Sequence, residues 1–398
     1  MNVLHKPIIL IFTHYYLPGY KAGGPIRSLA NLVSALGSTY DFRIVCFDRD
    51  LGSDQSYSNI KIGQWQKQGN AMIRYASLHE LGFSFCRKML LDTKPDMIYL
   101  NSLFDRAFSM KPVLVLGRGR DTPILLTPRG ELSAGALSLK PWRKQLFFSA
   151  ARATRLYNNV HWHGCSKPEA ELIQGRFSPE LSKIFLASDL PEANQVILQR
   201  TTAKQPGKLR IVLAARISPV KNMLAAIRIA GQLKGAVEFD LWGPLEDKDY
   251  WIDCQRQIGL CPPNVTVRYL GEIAHEKLHA LLHGYDVMLL PTLGENFGHA
   301  IIEALDASLP VVISDRTPWR KLEQAGVGFD LPLEDEVAFL RALVKYQAMN
   351  ESDMVLVRDA CQRYVVEWRK SNTDLDDYRK MFNSVIASRQ AASAVLHS

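Results

Sequence analysis

Glu295 and Glu303 stand eight positions apart in Pro291-Thr-Leu-Gly-Glu-Asn-Phe-Gly-His-Ala-Ile-Ile-Glu-Ala-Leu305. Carboxylates at this spacing can accept hydrogen bonds from ribose or sugar hydroxyls. Between them, the amides that open a helix at Gly298 make a natural seat for a phosphate. The set suits a ligand carrying both hydroxyls and phosphate, such as a nucleotide sugar. The plainer alternative is that Glu303 is a solvated helix residue and Asn296-Phe297-Gly298 an ordinary turn. Arg216 and Lys221 lie upstream in Ala215-Arg-Ile-Ser-Pro-Val-Lys-Asn222. Two cations five residues apart around a Ser-Pro turn can hold a diphosphate by charge-assisted hydrogen bonds. The alternative there is a pair of exposed loop charges.

These residues need particular elements to bring them together. Asp286-Val-Met-Leu-Leu290 reads as a short buried strand, Gly298 to Leu309 as a helix, and Pro310-Val-Val-Ile-Ser314 as the next strand. The acids therefore fall at the C-terminal end of a strand, the edge where open α/β sheets bind ligands. Arg216 and Lys221 follow the strand Leu209–Leu213 and reach the same edge. Short apolar strands alternate with helical stretches along the chain, which predicts a doubly wound α/β architecture. Strands are expected at Ile8–Thr13, Arg43–Phe47, Met72–Ala76, Met97–Leu100, Ile124–Thr127, Val160–His163 and Ile184–Ala187. After a polar linker at 191–207, further strands follow at Leu209–Leu213, Val237–Trp242, Val265–Leu270, Asp286–Leu290 and Val311–Ile313. Beyond 335 the pattern is helical, with a break at Lys370-Ser-Asn-Thr373.

Glu295-Asn-Phe-Gly-His-Ala-Ile-Ile-Glu303 resembles the E-x7-E segment of the family 4 glycosyltransferases, a large retaining group with the GT-B fold. The resemblance implies that Glu295 contacts the donor sugar, Glu303 the nucleotide ribose, and Asn296, Phe297 and Gly298 the sugar and phosphate. Arg216 and Lys221 are similar to the family's R-x4-K element, which neutralises the leaving diphosphate. Gly23-Gly24, closing the long loop after the first strand, resembles the family's glycine-rich loop facing donor diphosphate and acceptor. Trp242-Gly-Pro244 resembles, loosely, a further glycine-rich turn. Many retaining GT-B enzymes carry a histidine after an N-domain strand. Here that strand ends Leu126-Thr-Pro-Arg129-Gly130-Glu131, as in a subgroup with a Pro-Arg-Gly segment. The departure implies a guanidinium, Arg129, beside the acceptor or the phosphates, with Glu131 ranked below it as a proton acceptor.

The implied architecture is two Rossmann-like domains facing across a cleft. Residues 1–195 would form the acceptor-side domain, completed by a C-terminal helix at about 372–390, and 206–371 the nucleotide-sugar domain. The implied reaction moves a sugar from a nucleoside diphosphate donor to an acceptor hydroxyl with retention and with neither metal nor organic cofactor. A lipid-linked or oligosaccharide acceptor, in bacterial polysaccharide or glycolipid assembly, is the expectation at family level. The rivals are a nucleotide-sugar epimerase of the same fold and a catalytically silent nucleotide-sugar-binding subunit.

Composition narrows the field. Six scattered cysteines without a CxxC pair point to reduced thiols and the cytoplasm. The apolar run Ile8 to Phe12 is too short for a signal peptide, and no run reaches the length of a membrane span. Residues 1–190 carry 24 Lys and Arg against 14 Asp and Glu, a net +10, whereas the remainder carries 24 against 26, a net −2. A basic N-terminal half implies an anionic neighbour. Lys140-Pro-Trp-Arg-Lys-Gln-Leu-Phe-Phe-Ser-Ala-Ala-Arg152 mixes aromatics and cations at helical spacing, as an interfacial helix on an acidic membrane does. A core-packed helix with a basic rim is the alternative. His275-Glu-Lys-Leu-His279 spells HExxH, but it falls in a crossover helix between two strands, where a zinc protease site is not expected. His161 and His163 alternate on one strand and suit packing or a cleft wall better than a metal. Nothing supports nucleic-acid binding.

Overall fold

The computed structural model describes residues 6–116, 122–138, 141–192, 203–371 and 374–396. The chain forms two units, Met1–Glu192 with Thr373–Ser398, and Ala193–Asn372. The expected linker falls partly within 193–202, and residues 372 and 373 of the expected helix break are likewise outside the described residues.

The first unit holds β1 (Ile8–Phe12), β2 (Asp41–Phe47), β3 (Trp65–Gln68), β4 (Ala71–Ala76), β5 (Met97–Leu100), β6 (Ile124–Leu126), β7 (Val160–Gly164) and β8 (Ile184–Leu186). They form one sheet in the order β3-β4-β2-β1-β5-β6-β7-β8, parallel except for β3. A parallel strand covered on both faces must be apolar at every position, and β1 (Ile-Ile-Leu-Ile-Phe) is such a run. Its side chains divide by alternation. Leu10 and Phe12 join the core that holds Phe108, Leu132 and Trp162, while Ile9 and Ile11 join the opposite one. That second core includes Tyr378, Met381, Phe382 and Val385 of the C-terminal helix Asp374–Leu396. This helix therefore completes the first sheet's packing despite its place at the end of the chain.

The second unit holds β9 (Lys208–Ala214), β10 (Ala236–Trp242), β11 (Val265–Tyr269), β12 (Val287–Leu290), β13 (Val311–Ser314) and β14 (Gly328–Leu331), all parallel. Their order is β11-β10-β9-β12-β13-β14. In each sheet the chain winds outward from a central strand, then returns beside that strand and winds the other way. The reversal lies between β1 and β5 in the first sheet and between β9 and β12 in the second. Loops diverge at such a point and leave room for a ligand at the carboxyl edge.

Two strands have no counterpart in the sequence reading. Trp65-Gln-Lys-Gln68 is a polar, partly exposed antiparallel edge strand, and Gly328-Phe-Asp-Leu331 is a short edge strand with one acid and one glycine. Neither offers the apolar run that betrays a central strand.

Candidate functional site

The loop after β9 and the loop after β12 are joined across the reversal point of the second sheet. The Leu293 amide donates to the Val220 carbonyl at 2.8 Å, and the Thr292 hydroxyl donates to the same carbonyl at 3.0 Å. The Asn222 side chain, on a left-handed residue (φ 54°), donates to the Pro291 carbonyl at 3.0 Å. From the loop after β13, the Ser314 hydroxyl donates to the Thr292 carbonyl at 2.6 Å, and the Arg316 carbonyl accepts from the Glu295 amide at 3.0 Å. Three strand ends thus hold Thr292 to Glu295 in place.

In this setting Lys221 Nζ lies 2.5 Å from Glu295 Oε1, with the two side chains 17% and 12% exposed. One of the two expected phosphate-binding cations and the first acid of the pair are therefore in direct contact. A few residues on, Gly298 takes φ 85°, ψ 56° and caps the helix His299–Asp306. A Cβ at Gly298 would meet Ile301 Cδ1 at 2.8 Å and Trp319 Nε1 at 3.2 Å. Trp319 fixes the turn by donating its indole N–H to the Phe297 carbonyl at 2.6 Å, and Phe297 itself is buried. The first-turn amides of this helix open beside Asn296 and Gly298, and Glu303 sits half-buried farther along it. The expected span Gly298 to Leu309 is thus trimmed to eight residues.

Arg216 stands apart from Lys221. Its Nη1 is 2.8 Å from Glu246 Oε1, in the loop after β10, and the two side chains are 34% and 36% exposed. The backbones of these two loops are tied by Ala215 N–H to Trp242 O at 2.8 Å and Ile217 N–H to Pro244 O at 2.9 Å. Only a glycine fits the turn between them. A Cβ on Gly243 would fall 2.0 Å from the Ala215 carbonyl oxygen. The turn Trp242-Gly-Pro244 thus seats the arginine loop. Both cations already face a carboxylate, which the reading of a bare cation pair did not anticipate. Sequence spacing gives no sign of Glu246, thirty positions from Arg216.

The first unit assigns its expected site residues differently. Gly23 (φ 70°) and Gly24 open the helix Gly24–Leu36. Asp50 pins that loop by accepting from the Tyr20 and Lys21 amides at 2.9 and 3.2 Å. Arg129, however, belongs to the frame. Its side chain is 5% exposed and ion-paired with Asp189. It also donates to Asn101 Oδ1 at 2.7 Å, Tyr99 Oη at 3.2 Å and Cys165 Sγ at 3.2 Å. Burial works against its charge, but Asp189 together with Cys165, Tyr99 and Tyr378 outweighs that and holds the guanidinium protonated. Glu131 is half-buried, accepting from the Ser102 hydroxyl at 2.8 Å and the Leu103 and Phe104 amides at 2.6 and 3.0 Å. Burial raises its pKa above the usual carboxylate value. The Arg129 side chain therefore has no open face for an acceptor, and the Glu131 carboxylate is already held by three donors.

The histidines separate in the same way. His163 is enclosed between Tyr99 Oη (2.8 Å) and the Ala187 carbonyl (2.7 Å), and burial lowers its pKa to about 4. His275 and His279 lie on the helix His275–Leu282 between β11 and β12, the crossover position expected for HExxH. Among the described residues no group of three or more His, Cys, Asp or Glu is placed to hold a metal. Nor does any helix among them have the length and apolarity to cross a membrane. On the helix Pro141–Ala153, Phe148 is buried and Phe147 packs with Phe104 and Tyr157. Trp142 and Leu146 are 65% and 64% exposed. Lys140 lies outside the described residues.

Residues 196–359 match the family described as Glycosyl transferases group 1. A phosphatidyl-myo-inositol mannosyltransferase of Mycobacterium leprae is 32% identical over 103 residues, which is 25% of this chain and 28% of that protein. The match thus spans little more than a quarter of that relative's length. Sucrose-phosphate synthase from Thermosynechococcus elongatus superposes with a TM-score of 0.68 at 16% identity, covering 96% of this chain and 100% of that one. Anabaena HepE, solved with UDP and glucose, gives 0.66 at 15% over the same shares. The lipopolysaccharide-biosynthesis glycosyltransferase WaaG gives 0.63 at 11%, covering 94% and 98%. Residues 196–359, within the second unit, thus match a group 1 glycosyltransferase domain, and the chain has the GT-B fold.

Proposed function

We propose, from that domain and fold, that the protein transfers a sugar from a nucleoside diphosphate sugar to an acceptor hydroxyl with retention of configuration. The observation that carries the reading is the Lys221–Glu295 pair, which spans the reversal point of the second sheet beside the helix opened by Gly298. On this reading the diphosphate lies over the first turn of that helix, with Lys221 beside it. Arg216 swings from Glu246 to the same group, while Glu295 receives a donor-sugar hydroxyl and Glu303 the ribose. As the glycosidic bond breaks, negative charge grows on the diphosphate. Cations and amides already in place stabilise that charge more than they stabilise the ground state. With retention, the acceptor attacks the face the diphosphate leaves, and a phosphate oxygen takes the acceptor's proton. Two cations and a helix terminus supply the charge neutralisation, so no metal ion or organic cofactor is invoked.

The M. leprae relative, named for a mannosyl transfer to a phosphoinositide, and HepE, solved with UDP and glucose, favour a nucleotide-sugar donor. The basic N-terminal half and the exposed Trp142 and Leu146 favour an acceptor held at an anionic membrane. The enzyme then works in the cytoplasm, docking reversibly on the inner face of the plasma membrane during polysaccharide or glycolipid assembly. The test is a thermal-shift screen of UDP-, GDP- and ADP-sugars, followed by incubation of the best donor with lipid and oligosaccharide acceptors. An acceptor-dependent product with the donor's anomeric configuration is expected. Release of an epimerised sugar nucleotide without an acceptor would contradict the reading.

A further inference from the structure

We infer that His14 and Asp105 form a hydroxyl-recognising dyad in the first unit, with His14 Nε2 accepting a hydrogen bond from a sugar hydroxyl. The inference rests on the sugar-transfer reading only in taking that hydroxyl to be the acceptor's. His14 follows β1 and Asp105 follows β5, the adjacent parallel strands on either side of the first sheet's reversal point. This is the topological place that Lys221 and Glu295 bridge in the second sheet. His14 Nδ1 lies 2.5 Å from Asp105 Oδ2, although the two residues are 91 positions apart.

The dyad is oriented from behind. Asp105 Oδ1 accepts from the Ala107 and Phe108 amides at 2.8 and 2.7 Å, so its carboxylate cannot rotate freely. Burial pushes the Asp105 pKa up, but the contact with His14 and the two amides outweighs it, and the group stays below the usual carboxylate value. An ionised carboxylate accepts only. Nδ1 therefore carries the proton that faces Asp105, and in the neutral ring that leaves the lone pair at Nε2, where it can accept. That nitrogen has no hydrogen-bond partner among the described residues, on a side chain that is 40% exposed.

The surroundings select the ligand. Tyr15 lies 4.3 Å from the imidazole centroid, and Phe47 and Phe108 each lie 5.3 Å from it. Phe47 and Phe108 are core residues that buttress the imidazole from behind, and the partly buried Tyr15 is the ring that suits the C–H surface of a sugar. Burial, with Asp105 and Asp50 nearby, raises the Tyr15 pKa and keeps its phenol protonated as a potential donor. A lone pair backed by a carboxylate repels a phosphate, so this edge favours a neutral polyol over a second anion. Of the residues expected to serve the acceptor, Arg129 is buried in the frame and the half-buried Glu131 is held by three donors. His14 is a polar group that this edge leaves partly open.

The test uses the full chain labelled with 15N-histidine, titrated with methyl α-D-glucopyranoside and methyl α-D-mannopyranoside in the presence and absence of UDP. His14 signals are assigned by His14→Gln. A saturable shift of His14 Nε2 is expected. His14→Gln should weaken sugar binding by roughly three- to tenfold, the share of one neutral hydrogen bond, and leave the melting temperature and UDP affinity unchanged. Asp105→Asn should reverse the imidazole tautomer, because an amide N–H would then face Nδ1, a change that a merely structural aspartate would not cause. If Asp105→Asn fails to fold, the wild-type titration and His14→Gln still decide. A His14 signal unmoved by both sugars while UDP binds would overturn the dyad and leave the donor reading intact. A moving His14 signal in a protein that binds none of UDP, GDP and ADP would support the dyad and overturn the donor reading.

Discussion

The Lys221 ammonium lies 2.5 Å from the Glu295 carboxylate, joining the loop after β9 to the loop after β12. A cation held against an acid is preorganised, and it can turn toward a diphosphate without a search through rotamers. Lys221→Ala should therefore lower kcat more than donor affinity, by about 2.7–4 kcal/mol of transition-state stabilisation, or 10²–10³-fold. Steady-state kinetics separate the two effects. A change confined to donor KM would assign Lys221 to ground-state binding alone.

The Arg216–Glu246 pair gives a prediction of opposite sign. Both side chains are about one-third exposed, so the pair itself contributes at most about 1 kcal/mol. Glu246→Ala releases the guanidinium and should tighten donor binding by a factor of about two to five. Arg216→Ala should weaken it. Calorimetry with both variants decides, and weaker binding in Glu246→Ala would mean that Glu246 meets the donor itself.

Gly298 is held at φ 85° beside Ile301 and Trp319. Gly298→Ala should cost about 1–2 kcal/mol for the left-handed backbone and should tilt the helix amides away from the phosphate seat. Urea denaturation reads the first effect and nucleotide titration the second. Unchanged stability with unchanged donor affinity would detach this turn from the site.

Much of this arrangement is legible in the sequence because parallel strands buried on both faces are unbroken apolar runs. Ile8 to Phe12, Met97 to Leu100 and Val287 to Leu290 announce themselves in that way; the end of the last places Glu295 and Gly298, and the end of β9 places Lys221. Side-chain partners are another matter. Arg129 meets Asp189 sixty positions away and His14 meets Asp105 ninety-one away, and no local spacing encodes either pair. Arg129 was therefore expected at the acceptor on the strength of its motif, whereas burial assigns it to the frame.

His163 predicts an acid sensitivity of the first unit. Its folded pKa of about 4 lies below the ordinary value of 6.5, because burial favours the neutral ring. Between those values the unfolded chain binds the proton and the folded chain does not. Stability should then fall as pH drops from 6.5 toward 4, by up to about 1.4 kcal/mol per pH unit. Urea midpoints across this window should flatten in His163→Gln relative to wild type. Parallel curves for the two proteins would remove His163 as the cause.

Membrane docking, if it serves the acceptor, depends on Trp142, Leu146 and the surrounding cations, because Phe147 and Phe148 are engaged in the core. Each cation near an anionic surface contributes about 1 kcal/mol. Co-sedimentation with anionic vesicles should therefore fall between 0.1 and 1 M salt as the Debye length shrinks from about 10 to about 3 Å. Trp142→Ala should weaken what remains. Equal binding to neutral vesicles would point to apolar insertion alone, and absence of binding to either would favour a soluble acceptor.

The central claim is that the second unit grips a nucleoside diphosphate sugar, with Glu303 on the ribose. Its most direct test is calorimetric titration of the best UDP-, GDP- or ADP-sugar into wild type and Glu303→Gln. A carboxylate accepting from ribose hydroxyls contributes roughly 1.5–3 kcal/mol, so the variant should bind at least about tenfold more weakly with an unchanged melting temperature. Equal affinity in the two proteins, or no binding of any of the three donors to wild type, would contradict the account.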